Sequence, residues 1–250
     1  MVLRDASSWA TLQHDLRKQV QADMAVVDPY HGRGTADGPA PELRLLLREL
    51  SSAAVLVAVG LKSSQPRDLR TLGAWGVTDV IVTDQDDAGA IARLLRSARG
   101  RPLQTLLERS LPSAVSSRGR SILGAAADVV ATGGQGERLA RSLYVSMRTL
   151  NRWCEGEGLP PPRQTLAWLR ILWAAEMLDD PARSVEAVAL ACGYASDSGL
   201  RRAFDDFLGV SPTAVRKQGA FATASRAFQR ALEAPAEPRV GRTMAQPVAG

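Results

Sequence analysis

The chain has 250 residues, 45% of them hydrophobic, and carries 31 Lys and Arg against 26 Asp and Glu, for a formal net charge of +5. That length holds one large domain or two small ones with a proper core, and the mild basic excess admits a polyanionic partner without demanding one. Two cysteines and two histidines exclude a disulfide framework and a histidine-rich zinc site. The longest apolar run, 53–59, falls far short of the roughly 20 residues of a membrane helix, and no charged-then-apolar leader opens the sequence, so a soluble, cytoplasmic protein is expected.

The first hundred residues alternate helix and strand signals. Residues 9–20 place Leu12 and Leu16 four apart and predict a helix. The short apolar run 24–27 is closed by Asp28-Pro29 and followed by a Gly-rich loop through Gly38. Residues 42–50 are leucine-rich with Arg44 and Arg48 on one side, 55–59 read as a fully apolar strand, and 68–75 as a helix ending among glycines. A third strand at 80–83 and a helix at 88–98 complete the series. Continuous apolar strands between helices imply a parallel sheet covered on both faces. The Ser-rich stretch 112–119 suits a linker, drawn here as 101–120. From 121 to 218 every periodic segment has helical spacing. The tail 219–250 opens with an amphipathic pattern (Phe221, Ala224, Phe228, Leu232) and turns Ala/Pro-rich, with disorder expected after about Glu233.

The segment 184–218, SVEAVALACGYASDSGLRRAFDDFLGVSPTAVRKQ, is the most informative. Ser184 can cap a helix that buries Val185, Val188, Ala189 and Cys192, an i, i+3, i+4, i+7 stripe. Gly193 supplies a left-handed cap, and Ser196 can cap the next helix, whose inner stripe is Leu200, Ala203, Phe204, Phe207 and Leu208. Asp197, Ser198, Arg201, Arg202 and Asp205 face outward. Ser211-Pro212 starts one more helix. A weaker copy lies at 137–156: Leu139, Ala140 and Leu143, then a cap at Ser146. Its second helix buries Met147, Leu150, Trp153 and Cys154 and leaves Arg148, Asn151, Arg152 and Glu155 outside. Arginine can donate two hydrogen bonds to guanine O6 and N7, and asparagine can pair with adenine N6 and N7. Between the copies, 164–178 reads as one helix with Leu166, Leu169, Trp173 and Met177 on a stripe. Such a rod can hold two recognition helices in successive major-groove turns, about 34 Å apart on one face of the duplex. Both cysteines fall on buried stripes, which favours core packing over a redox switch.

This hundred-residue region resembles the DNA-binding domain of the AraC family of transcriptional regulators. The resemblance rests on Val188-Ala189, the Cys192-Gly193-Tyr194 turn, Ser196, Phe204 and the run FLGVSPTAVRK, and in the first copy on Leu139-Ala140, Ser146, Leu150, Arg152 and Gly158-Leu159. It departs at Cys154, where the family has a large aromatic residue, and at Pro160-Pro161-Pro162. The resemblance implies base reading by Arg148, Asn151 and Arg152 in the first copy and by Asp197, Ser198, Arg201 and Arg202 in the second. Ser146 and Ser196 would cap their helices or touch phosphate.

Residues 1–100 resemble a receiver domain of response regulators, a flavodoxin-like fold. Asp28, ending the strand MAVVD, stands where a phosphoacceptor sits, and the run GAWGVTDVIVTDQDDAGAIARLL is similar to that fold's last strand and helix. The acidic pair that would hold Mg²⁺ has no counterpart, the lysine position falls near Thr83-Asp84, and the switch hydroxyl position is Gly60-Leu61. Asp28 therefore reads as a strand-end carboxylate, and the domain as a degenerate receiver for dimerisation or signal input. The alternative is a response regulator or ligand sensor switched by phosphorylation at Asp28 or by a small ligand. An α/β enzyme has only the loop His31-Gly32-Arg33-Gly34 behind it, without a phosphate loop, nucleophile elbow or carboxylate pair, so no enzyme activity is expected. Implied partners are double-stranded DNA, a second copy through the N-terminal domain, and the transcription machinery. No cofactor, metal or membrane is expected.

Overall fold

The computed structural model describes residues 5–18, 24–33, 37–49, 54–60, 66–98 and 100–233. Its N-terminal part holds α1 (Trp9–Lys18), β1 (Met24–Val27), α2 (Pro41–Glu49), β2 (Ala54–Val59), α3 (Pro66–Ala74), β3 (Val80–Val82) and α4 (Ala88–Ala98). The expected elements are there, with bounds that shift by a residue or two. Positions 19, 20 and 50 of the expected helices, Gly34 and Leu61 lie outside the described residues, as does the disorder expected after Glu233. The strands pair in parallel in the order β1-β2-β3, with Met24 opposite Ala54 and Val57 opposite Val80.

Alternation along β2 sends side chains to two separate cores. Val57 and Val59 join Ala25, Val27, Leu43, Leu46 and Leu72 on the face covered by α2 and α3. Leu56 joins Ile81 and Ala98 on the other face, against Ile91, Leu94 and Leu95 of α4. Both faces carry helices, as the apolar strands required. Among the described residues the sheet is a small parallel one of three strands, and the flavodoxin-like receiver implied by the resemblance is not confirmed.

The remaining elements are helical: α5 (Arg101–Ser110), α6 (Ser117–Ala131), α7 (Gly136–Ser142), α8 (Met147–Gly156), α9 (Pro162–Leu178), α10 (Val185–Ala191), α11 (Asp197–Leu208), α12 (Pro212–Arg216) and α13 (Ala220–Glu233). The stretch drawn as a linker is thus mostly folded. Leu103, Leu106 and Leu107 form an i, i+3, i+4 stripe on α5 and are buried in the helical core. Arg101 at the start of α5 reaches back to the sheet, donating from Nη2 to Asp79 Oδ1 at 2.9 Å, with Nε 2.5 Å from Oδ2. Asp79 is buried just ahead of β3, so this hydrogen-bonded ion pair ties the α/β part to the helical part. Gly100 beside it packs so closely on α6 that a Cβ there would collide with the Asp128 carboxylate.

α9 was expected to bury one stripe, yet it is buried nearly all round: Trp168, Ile171, Leu172, Ala174, Ala175 and Leu178 are covered as well. The reason lies at both ends of the helical part, where α5 and α13 pack on α9 and on each other. Phe221, Ala224 and Phe228 of α13 are buried. Asp179, at the end of α9, fixes that helix by accepting from Ala220 N at 2.6 Å and Phe221 N at 3.1 Å, a carboxylate on two free N–H groups of a helix N-terminus. No helix among the described residues is long and apolar enough to cross a membrane.

Candidate nucleic-acid interface

Two helix pairs with the same closure stand on α9. In the first, α7 ends as Tyr144 N donates to Arg141 O and Val145 N to Ala140 O. In the second, α10 ends as Gly193 N donates to Leu190 O and Tyr194 N to Ala189 O. These paired bonds close each first helix in one pattern, which aligns Leu139 with Val188, Ala140 with Ala189 and Tyr144 with Gly193. The second turn then runs one residue longer, through Ala195, before its cap.

Each recognition helix begins on a serine. Ser146 Oγ accepts from Thr149 N at 3.1 Å, and Ser196 Oγ accepts from Gly199 N at 3.4 Å. Thr149 Oγ1 lies 3.0 Å from Ser146 Oγ, and Ser198 Oγ 2.8 Å from Ser196 Oγ. Both serines therefore cap their helices through their side chains, one of the two roles expected of them.

The inner faces bury what the periodicity marked. Leu150 and Cys154 of α8, with Leu200 and Phe204 of α11, are buried in the core that also takes Leu139, Ala140, Val188 and Ala189. A single core thus holds both pairs. Trp168 of α9 sits edge-on to Phe207 of α11 at 4.8 Å between ring centroids and 5.7 Å from Phe228 of α13, linking the second recognition helix to the C-terminal helix. Trp153 is half-buried rather than buried, with the Arg118 guanidinium over its ring at 4.4 Å. Burial raises the Cys154 thiol to about 11 and the Cys192 thiol to about 12, so both stay protonated and unreactive near neutrality.

The outer faces bring the expected residues together in two sets. On α8, Arg148, Asn151 and Arg152 are all exposed. Among the described residues no ion pair engages either arginine, while Asn151 Nδ2 donates to Met147 O at 2.8 Å. On α11, Ser198, Arg201 and Arg202 are exposed and Asp197 is half-exposed. Arg201 Nε donates to Asp197 Oδ2 at 3.2 Å, an i, i+4 pair, and Arg202 is free of ion pairs. Both helices turn acidic further along, at exposed Glu155 on α8 and exposed Asp205 and Asp206 on α11. On α8 the basic residue Arg148 lies in the first turn with no acidic residue beside it, where the helix dipole also favours phosphate, whereas α11 opens on acidic Asp197 and carries its arginines one turn further on.

One residue of this surface escaped the sequence reading. Tyr144 has φ 56, the left-handed region, and is 96% exposed. Its counterpart Gly193 has φ 80. An L-residue held there is strained by about 1–2 kcal/mol, which glycine avoids. The signal was present in the sequence: aligning the two turns sets a tyrosine against the glycine.

Asp28 is exposed at the end of β1, where its Oδ1 accepts from Tyr30 N at 2.9 Å and holds the turn. Tyr30 in turn donates its hydroxyl to buried Asp68 at 3.0 Å, and burial with that carboxylate raises its phenol to about 12.

Residues 139–218 match the family model for a helix-turn-helix domain. No curated protein and no solved structure matches the chain. The match spans both helix pairs, from Leu139 on α7 to Gln218 just past α12, and supports an AraC-type helix-turn-helix, DNA-binding domain over that part of the chain.

Proposed function

We propose that the chain is a sequence-specific regulator that reads a bipartite site in two adjacent major grooves of double-stranded DNA. Arg148, Asn151 and Arg152 read one half, and Asp197, Ser198, Arg201 and Arg202 read the other. The observation that carries this reading is the single core beneath both helix pairs. α9, with 17 residues, is about 25 Å long, and its burial over most of its surface holds the two recognition helices at one spacing. Two heads fixed on one rod favour two half-sites at a set separation over two independent contacts.

The N-terminal part serves as a dimerisation or signal-input domain without phosphorylation, and the protein acts in the cytoplasm with no catalytic role of its own. The turn-holding bond of Asp28 supports a structural carboxylate, and among the described residues no three ligand-type side chains gather around it to hold a metal. Incubation with a small phosphodonor and Mg²⁺, followed by intact mass, separates the readings. No mass gain is expected, and one phosphoryl group on Asp28 would restore the response-regulator alternative. For DNA reading, binding of the full chain to its selected duplex should far exceed binding to a scrambled one and fall steeply with salt. Equal affinity for the two duplexes would overturn it.

A further inference from the structure

The turn of the first helix pair holds the most exposed large hydrophobic side chain among the described residues, on a backbone that disfavours it. Tyr144 has φ 56 and is 96% exposed, so its ring packs on nothing that would offset the strain. The same turn in the second pair is made by Gly193 without a side chain, and the closing bonds are equivalent, 3.1 and 3.0 Å against 3.1 and 2.9 Å. The fold itself therefore gives no reason for a tyrosine at this position. A strained residue with no internal contact points to a contact outside the molecule.

The surroundings identify that contact. Tyr144 stands two residues ahead of Ser146, the cap of α8, with exposed Arg141 before it and exposed Arg148 after it. Among the described residues neither arginine has an ion pair. A phenol flanked in sequence by two exposed arginines and standing just ahead of a helix N-terminus is poorly placed for an apolar protein surface and well placed for phosphate oxygens.

We propose that Tyr144 is a DNA-backbone contact of the first helix pair, its hydroxyl donating to a phosphate at the edge of the groove that α8 enters. The proposal rests on the DNA-reading function above and adds a residue outside the two base-reading sets. Being uncharged, the phenol fixes the register of α8 without releasing a counterion. Its loss weakens binding and leaves the salt dependence alone, whereas loss of an arginine lowers the slope by about 0.9 per phosphate contact.

The test uses the full chain and a duplex of about 40 base pairs carrying a site selected by the full chain from a random pool, long enough for two groove turns. Tyr144→Gly should raise the thermal midpoint by about 2–4 °C through relief of strain. It should also weaken DNA binding about three- to tenfold, and Tyr144→Phe, which keeps the ring and loses the hydroxyl, should weaken it equally. Arg148→Ala, on the base-reading face, serves as the control that loses affinity for the selected site. If Tyr144→Phe binds as tightly as the unaltered chain, the hydroxyl contact is overturned. If both tyrosine variants keep their affinity while Arg148→Ala loses it, Tyr144 is no DNA contact and the DNA-reading function stands. If the tyrosine variants keep DNA affinity but lose self-association in sedimentation, the residue contacts protein and the proposal fails. Absence of binding by the unaltered chain overturns both readings.

Discussion

In the second helix pair the chain turns on Gly193 and Arg201 is held by Asp197; in the first it turns on Tyr144 and both arginines stand free of ion pairs. The caps differ in the opposite sense, with the Ser146 bond at 3.1 Å and the Ser196 bond at 3.4 Å. Behind them the order reverses. α11 is braced by Phe207 on Trp168 and through Trp168 to α13, while α8 has Arg118 stacked on half-exposed Trp153. Duplication of a motif thus does not duplicate its mechanics. The second pair presents a pre-oriented arginine from a braced helix, and the first presents unrestrained arginines beside a strained turn.

The largest effect expected on this comparison comes from the shared core. Phe204→Ala empties a fully buried position on α11 and should destabilise the domain by about 3–5 kcal/mol in denaturant titration. Because one core spans both pairs, signals from α8 and α11 should be lost in one transition; separate transitions would show two independent heads.

Alkali should act next. Cys154 is raised from 9.0 to about 11 and Cys192 from 9.0 to about 12, each chiefly by burial. The folded values lie above the unfolded ones, so this stability is complete below pH 9 and drains as pH rises through 11 and 12. In native protein the Cys154 thiol should react with a disulfide reagent at a lower pH than Cys192, and the reverse order would contradict the burial of the two pairs.

Smaller effects probe the outer faces. Arg148→Ala and Arg202→Ala should each relax base preference in one half-site only, by about 1–3 kcal/mol in competition binding. Loss at both halves would mean that the helices do not read separately. Ser146→Ala should cost about 1 kcal/mol of stability, and Ser196→Ala less, given its longer bond. Asp197→Asn should change stability by less than about 0.5 kcal/mol, since the pair is half-exposed. It should still alter the base preferred by Arg201, where Arg202 preference stays fixed.

Much of this was legible in the sequence because the relevant signals are local. Serine caps, glycine turns and four-residue spacings placed α7, α8, α10 and α11, and the alternation of apolar runs with helical stripes placed the parallel sheet. The helices α5 and α13 were undervalued for the opposite reason. Their role depends on a distant partner, α9, whose stripe looked one-sided until α5 and α13 closed over it. Charge pairing was equally hidden: the spacing of Asp197 and Arg201 allows a pair, while nothing local distinguishes Arg202, one residue on, as free of one. At the N-terminus the three strands marked by the apolar runs are the three that pair among the described residues.

Selection of bound sequences from a random DNA pool by the full chain tests the central claim most directly. The expected result is a bipartite site whose two halves are about one helical turn apart, with Arg148→Ala erasing one half and Arg202→Ala the other. Enrichment of a single uninterrupted half-site, or of no sequence at all, would contradict it.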